Sequence, residues 1–341
     1  MVSSHRKNRK SEQMISRIID RILCRSDFIE RPPVLIDIGA SGELNPKWKL
    51  LAKHSVCIAF DADEREIRHI EMEPSHFKRL HVFNAVLTNK AKGKIPFYLT
   101  NSPFCSSSLK PDNQSLEDWF FADLFEVERR AELNSIDLPQ VLKKLEIAYV
   151  DWFKTDSQGT DLRLFKSLGN DLIKRVLVAE FEPGFIDAYQ GEDKLYDVLA
   201  FMDKLPFWMI DIQVHGTQRI KRATVHRHFN KKEQRLMSEL LKMSPGWAEV
   251  AFINTLQQDV LFTEREFLLG WIFATLYLQH GYALELALKA AQKYGDSIFA
   301  ELSRVSTKQV KDKYRILPLL KLERIGKVFL EGLRKKLLDE S

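Results

Sequence analysis

Two acidic residues accompany neighbouring predicted strands near the start of the chain. The apolar runs 34–38 and 56–60 predict buried parallel strands, because a strand covered on both faces is continuously apolar. Asp37 lies in the first run, and Asp61 follows the second about 24 residues later. In a βαβ unit, that spacing is typical of the carboxylate that binds ribose hydroxyls. The sequence therefore predicts a nucleotide-like ligand at this edge of a sheet.

The turn after the first strand discriminates between cofactors. Gly39 and Gly42 enclose Ala40 and Ser41, and the third glycine of the dinucleotide fingerprint is missing. A pyrophosphate needs a helix N-terminus and additional glycine room. The amino-acid portion of S-adenosylmethionine needs only a turn of small residues, together with a carboxylate for the ribose. The pattern favours S-adenosylmethionine over NAD, and a purely structural turn is the alternative.

Charged residues also end two later predicted strands. Lys154 and Asp156 end the strand that begins near residue 149, and Glu182 follows the apolar run 175–181. Ligands of open α/β sheets bind at the carboxyl ends of the strands, so these three side chains are candidates for a function. The alternative is an ion pair between Lys154 and Asp156 beside the cap of the next helix.

Composition limits the possible partners. The chain has 341 residues, of which 45% are hydrophobic, and a net charge of +5. This charge excess is too small and too dispersed to indicate a nucleic-acid partner. The three cysteines are widely spaced, which predicts reduced thiols in the cytoplasm and neither a zinc site nor any other metal site.

Three regions differ in their hydrophobic pattern. Residues 1–30 form a basic tail and an amphipathic helix, which we expect to pack on the sheet; contact with an anionic membrane is the alternative. Strands and helices alternate over residues 31–230, which predicts a doubly wound, largely parallel α/β sheet. Residues 231–341 show helical periodicity alone. The apolar stretch 267–278 is too short for a transmembrane span.

Two details of the α/β region are also predicted. Residues 94–100 follow Lys92-Gly93 and have the pattern of a strand that returns in a hairpin against the third strand, residues 82–87. The stretch 223–229 predicts a last, antiparallel strand that carries His226 and His228 on one face.

Five sequence blocks resemble, in order and spacing, the FkbM-type S-adenosylmethionine-dependent methyltransferases. The likeness covers roughly residues 33–215, and the K-x-D-x-Q-G-x-x-L pattern is its most specific part. Asp61-Ala62 departs from the Glu-Pro that is usual in the family, and Thr160 replaces a small residue. The blocks are residues 34–40, 60–63, 106–109, 152–162, and Glu182 with Tyr189-Gln190-Gly191.

The resemblance implies a Rossmann-like methyltransferase sheet with a C-terminal α-helical extension. It also implies that S-adenosylmethionine is the cofactor and that a hydroxyl of a saccharide or related natural product is methylated. The methionine portion would be contacted by Asp37, Gly39, Ala40, Ser41 and Gly42. The ribose would be contacted by Asp61, and the adenine by Asn84 and Ala85.

Transfer to a hydroxyl also requires a group that takes its proton. Asp156 is the candidate base, Lys154 would polarise the site or pair with Asp156, and Glu182 is the second choice. The alternative function is that of an inactive binding or scaffold protein that acts through its helical C-terminal region. The identity of the acceptor and the oligomeric state stay open.

Overall fold

The computed structural model describes residues 2–40, 45–65 and 76–314, together with residues 317, 322, 324, 326, 327 and 329–331. Contacts divide the chain into two units, residues 1–265 and 266–341. The first unit therefore extends beyond the boundary at residue 230 that the sequence suggested.

Ten strands are present in the described residues. They are β1 Val34–Ile38, β2 Val56–Phe60, β3 Arg79–Phe83, β4 Val86–Thr88, β5 Lys94–Thr100, β6 Val127–Asp137, β7 Trp152–Thr155, β8 Val178–Phe181, β9 Phe207–Thr217 and β10 Ser244–Asn254. The helices in the first unit include α1 Val2–Leu23, α2 Ser26–Glu30, α3 Asn113–Leu116, α4 Leu138–Lys144, α5 Asp161–Ser167, α6 Asn170–Ile173, α7 Leu195–Met202, α8 Arg222–His228 and α9 Lys231–Leu240. Three further helices follow: α10 Glu264–Leu276, α11 His280–Tyr294 and α12 Ser297–Tyr314.

Seven strands form one twisted sheet in the order β3-β2-β1-β7-β8-β10-β9. The strands β3, β2, β1, β7 and β8 are parallel, and β10 runs antiparallel to both of its neighbours. Every residue of β1 and β2 is buried, as their continuous apolar runs predicted. A mixed α/β sheet of the Rossmann-like type is thus present. Because β2 and β7 lie on opposite sides of β1, the chain reverses direction across the sheet there, which is where such sheets bind ligands.

Helices cover both faces of this sheet. On one face, apolar residues of α4, α5 and α7 share a core with the strands; Leu142, Phe165 and Val198 are among its buried members. On the other face, the indole rings of Trp48 and Trp152 meet edge to face, with their centroids 5.8 Å apart. The expected amphipathic helix is α1, whose residues Ile18, Ile19, Ile22 and Leu23 are buried.

A buried ion pair holds the amino ends of β1 and β7 together. Arg265 Nη1 and Nη2 donate to the two carboxylate oxygens of Asp151, each over 2.9 Å. Asp151 Oδ2 also accepts from the backbone N–H of Val34 at 2.9 Å. The guanidinium group lies 5.4 Å from the ring centroid of Phe28 and 5.0 Å from that of Tyr149. These contacts compensate both buried charges.

A second, three-stranded sheet has the order β4-β6-β5. The prediction of a hairpin between residues 82–87 and 94–100 is wrong, because β5 pairs antiparallel with β6. Residues 82–87 are divided between two sheets: β3 ends at Phe83, and β4 pairs with β6 from Val86 onward. The long strand β6 is the central strand of this sheet and pairs with β4 on one side and with β5 on the other. Its pairing with β5 takes the place of the predicted local hairpin.

The predicted strand at residues 223–229 is also wrong, because α8 occupies this stretch. Val225 is fully buried, whereas His226 and His228 are exposed. The β-branched Thr224 and Val225 suggested a strand, but one buried valine is sufficient to anchor a single short helix.

The prediction of helices alone after residue 230 fails at β10, an 11-residue strand inside the large sheet. Its start, Ser244-Pro245-Gly246, has turn-forming residues that concealed the strand. The helices α10, α11 and α12 agree with the helical periodicity that the sequence shows beyond residue 230.

In the second unit, α11 and α12 pack against each other through small and apolar side chains, including Ala283, Ala287, Phe299 and Leu302. None of the helices in the described part of the chain combines the length and apolarity needed to cross a bilayer.

Candidate functional site

The turns that follow β1 and β7 touch each other. The backbone N–H of Asp156 donates to Ile38 O at 2.9 Å, and Gly39 N–H donates to Phe60 O at 2.9 Å. Gly39 has φ +72°, and a Cβ at this position would lie 2.0 Å from Asp156 O. Only glycine fits such a close approach without displacing the neighbouring backbone. Gly39 thereby allows the backbone of Asp156 to lie directly against the turn after β1.

A first cavity opens at the carboxyl ends of β1, β2 and β7. Four residues that the sequence proposed for the site lie in its wall: Gly39, Asp61, Ala85 and Asp156. The remaining lining residues are Ile38, Phe60, Ala62, Val86, Leu87, Phe97, Ser106, Ser108, Ser157 and Thr160. Its walls therefore offer two carboxyl groups, several hydroxyls and apolar surfaces.

Other proposed cofactor contacts lie beside this cavity. The exposed side-chain amide of Asn84 donates to Asp61 O over 3.4 Å. Ala40 is buried, and its N–H donates to Phe60 O at 3.2 Å. Ser41 and Gly42 lie outside the described residues.

Lys154 pairs with Asp37 and does not form the ion pair with Asp156 that the sequence left open. Its Nζ lies 2.7 Å from Asp37 Oδ1, and the two strands that carry the residues are adjacent. Burial acts to lower the pKa of Lys154, but the carboxylates of Asp37 and Asp156 outweigh it and raise this pKa above its ordinary value. Lys154 is therefore a fixed positive charge that also faces Asp156.

Asp161 joins the ends of β7 and β8. Its Oδ1 accepts from the Thr155 hydroxyl at 2.9 Å and from the Ser157 N–H at 2.8 Å, and its Oδ2 accepts from the Glu182 N–H at 2.8 Å. Burial raises the pKa of Asp161, although these donors oppose the shift. The carboxylate fixes the loop backbone on both sides of the site, so we assign it a positioning role.

Asp156 and Glu182 form a coupled acidic pair. Burial is the largest cause that raises the pKa of each carboxyl, to about 6 for Asp156 and to about 10 for Glu182. Lys154 favours the ionised form of Asp156, and a hydrogen bond from Glu182 does the same. Repulsion from Asp156 and Asp161 raises the pKa of Glu182 further. Near neutral pH the pair therefore holds one proton, and it resides on Glu182.

A chain of hydrogen bonds orients Gln158 toward this pair. The Tyr189 hydroxyl lies 2.9 Å from Gln158 Oε1, and Gln158 Nε2 donates to Asp156 Oδ1. The Ser107 hydroxyl donates to the backbone carbonyl of Gln158 at 2.7 Å. With its amide set in this direction, Gln158 stabilises the ionised form of Asp156.

A second cavity, of about 390 Å³, begins on the other side of Asp156. Its polar wall contains Asp156, Gln158, Glu182 and Glu192. The rest of the lining includes an aromatic wall: the rings of Trp247, Phe121, Phe125 and Tyr189 follow one another with centroid distances of 6.0, 5.4 and 5.6 Å. Asp156 lines both cavities and is therefore accessible to a ligand in either one.

Sequence reasoning missed much of this second cavity. Trp247 lies near the start of β10, and because β10 is antiparallel to β8, its first residues lie at the carboxyl end of β8. Because β10 was not predicted, Trp247 was not expected to line a cavity. Ser106 and Ser108 line the first cavity, although a serine cluster is ordinarily only a loop. Their one sequence signal was their place among the FkbM-like blocks.

One group in the described residues has the composition of a metal site: Asp20, Cys24 and His54. Asp20 Oδ1 already accepts from His54 Nε2 at 2.8 Å and from Lys53 Nζ at 2.5 Å. These two hydrogen bonds lower the pKa of Asp20, with Lys53 the larger cause. The ammonium occupies the place that a cation would take, so this group is an ion-pair cluster.

The arrangement can hold a ligand against Gly39 and Asp61, hold a second molecule against the aromatic wall, and accept a proton at Asp156 between them. No protein-family model matches the sequence, and no curated protein or solved structure is significantly similar to it.

Proposed function

We propose that this protein is an S-adenosylmethionine-dependent methyltransferase that methylates a hydroxyl group. The observation that carries the proposal is the position of Asp156, which lines two cavities at the ligand-binding edge of a Rossmann-like sheet. A transferase for two substrates needs two adjoining spaces and a proton acceptor at their junction. The resemblance to FkbM-type methyltransferases supports the same function.

The first cavity has the chemistry that the cofactor requires. Asp61 follows β2, where a carboxylate can accept hydrogen bonds from both ribose hydroxyls. Gly39 contributes only backbone atoms to the cavity wall, and Ala85 and Phe97 supply apolar surface for a flat base. The strand order, with the last strand inserted antiparallel, is compatible with the sheet that the family resemblance implies. The chemistry of these residues suits S-adenosylmethionine, and the cavity, about 70 Å³ in this structure, must widen to admit it.

When bound there, S-adenosylmethionine supplies a methyl group on a sulfonium centre, and the sulfur keeps the electron pair when the acceptor oxygen takes the methyl group. The residues of this chain align the acceptor hydroxyl, exclude water and remove a proton. Asp156, ionised and oriented by Gln158, accepts the hydroxyl proton. Before an acceptor binds, Glu182 holds a proton and stabilises the Asp156 carboxylate.

Calorimetry tests the cofactor assignment directly. We expect S-adenosylmethionine to bind the wild type and to bind Asp61→Ala about tenfold or more weakly, because hydrogen bonds to a charged group are lost. Asp203→Asn is the matched control, since Asp203 is exposed at the end of α7 and far along the chain from the cavity. Absence of wild-type binding at millimolar ligand would overturn the proposal and favour the scaffold alternative.

The wider assignment follows from the same reasoning. We propose a saccharide or related natural product as acceptor, and a cytoplasmic location. The cysteines Cys24, Cys57 and Cys105 are unpaired, which suits a reducing compartment. Turnover by the wild type, measured as S-adenosylhomocysteine formed in the presence of hydroxylated acceptors, would support the acceptor class.

A further inference from the structure

The second cavity has two chemically different walls. One wall is the aromatic series from Trp247 to Tyr189, and the other carries the carboxyl groups of Asp156, Glu182 and Glu192. Among the described residues that line the cavity there is no lysine, arginine or histidine. Aromatic faces and carboxylates both attract cations, so both walls favour a ligand with a positive charge.

The three carboxyl groups differ in how far nearby positive charges compensate them. Glu192 is paired with Lys194, whose Nζ lies 2.6 Å from Glu192 Oε1. Asp156 faces Lys154, although that lysine is already paired with Asp37.

Glu182 has the least compensation. It faces the acids Asp156, Asp161 and Glu249, and Lys154 is the one cation among its principal charged neighbours. Without a ligand, Glu182 avoids this repulsion by keeping a proton. A cation that arrives beside Glu182 would replace that proton.

Resting on the proposed function, we propose that the acceptor is a ring that carries an ammonium group on the carbon next to the methylated hydroxyl. Asp156 and Glu182 each follow by two residues the paired Lys154 and Glu180 of adjacent parallel strands, and both line this cavity, so groups bound to them must also be neighbours. A vicinal amino alcohol, such as a 2-amino sugar provides, has this arrangement. Its hydroxyl would reach Asp156, and its ammonium would reach Glu182.

The ammonium group suits this acidic cavity because of the number of its hydrogen-bond donors. It offers three N–H donors, so it can donate to Glu182 in place of the proton that Glu182 releases. The ring carbons then lie against the aromatic wall, and Trp247 offers the strongest cation–π partner. An anionic group on the acceptor would be repelled by the carboxylates that line this cavity.

Two small rings of the same size provide the test. Trans-2-aminocyclohexanol carries the ammonium, and trans-1,2-cyclohexanediol replaces it by a hydroxyl. We measure binding of each by calorimetry at about pH 7, in two buffers that differ in ionisation enthalpy, so that proton release is counted. The amino alcohol should bind about tenfold more tightly than the diol and release close to one proton. Equal affinities, no proton release, or binding of neither ring at millimolar concentration would overturn the inference.

Variants identify the residue that responds. In Glu182→Gln the released proton should disappear and the preference for the amino alcohol should fall to about twofold or less. Glu132→Gln, an exposed acid on β6, should behave as the wild type. If Glu182→Gln does not fold, Trp247→Leu tests the inference instead, because Trp247 is partly exposed. Its loss should weaken binding of the amino alcohol more than binding of the diol.

This experiment is separate from the test of the proposed function. Binding of S-adenosylmethionine can be present while the amino alcohol shows no preference, in which case only the acceptor inference fails. If the cofactor does not bind, the proposed function fails whatever the amino alcohol does.

Discussion

Substitution of Gly39 by alanine should destabilise the protein strongly and displace Asp156. Two costs combine. The left-handed φ of +72° costs alanine about 1–2 kcal/mol. The added Cβ would lie 2.0 Å from Asp156 O, and the overpacking that results costs about 1–3 kcal/mol more. We therefore expect a loss of about 2–5 kcal/mol in the free energy of unfolding, together with loss of S-adenosylmethionine binding.

Gly295 provides a matched control for this prediction. Its φ of +71° is also left-handed, but a Cβ there would meet no atom within 4 Å. Gly295→Ala therefore has the backbone cost alone, about 1 kcal/mol after the reduced entropy of the unfolded chain is counted. Urea denaturation measures both variants, and thermal melting should show Tm decreases of roughly 2–4 °C for each kcal/mol. Equal destabilisation by the two substitutions would refute the close contact of the turns as the reason for Gly39.

Three further outcomes are expected. Asp156→Asn should retain cofactor binding but lose methyl transfer by about 10²- to 10⁴-fold, measured as S-adenosylhomocysteine formed; unchanged turnover would remove Asp156 as the base. The raised pKa of Glu182 means that the folded state keeps a proton which the unfolded chain releases above about pH 4.3. The contribution of this group to the free energy of unfolding is therefore largest below that pH, and it decreases by up to about 1.4 kcal/mol per pH unit as pH rises. Glu182→Gln lacks this titration, so in urea titrations its free energy of unfolding should rise relative to that of the wild type between about pH 5 and 8. Arg265→Met should lower the free energy of unfolding by about 3–5 kcal/mol because it leaves Asp151 charged and buried, whereas Arg130→Met, at an exposed ion pair, should cost about 0–1 kcal/mol.

The central strands could be predicted because burial on both faces leaves a clear sequence pattern. β1 and β2 are buried throughout and apolar except at Asp37, and their carboxyl ends are marked by glycine and by Asp61. Parallel pairing then places those ends at one edge of the sheet, without knowledge of any side-chain contact. Gly39, Asp61 and Asp156 could thus be placed together from sequence alone.

The partners of the charged residues could not be predicted, because they depend on register between strands. Asp37 and Lys154 are directly opposite each other in adjacent strands and form the ion pair, whereas Asp156 interacts with Lys154 only through its charge. The aromatic wall could not be predicted because it includes Trp247 of β10. The first residues of β10 resemble a turn, so this strand was not predicted. Long-range pairing overrode the local signal in both cases.

The position of β10 also bears on how the protein can be synthesised and shortened. This strand is the last of the large sheet in the chain, yet it lies between β8 and β9. Until residue 254 has left the ribosome, β8 and β9 cannot pair with it, and each keeps an open edge that invites aggregation. A chain truncated at residue 230 should therefore require a chaperone or precipitate, and the sheet can close only late in translation.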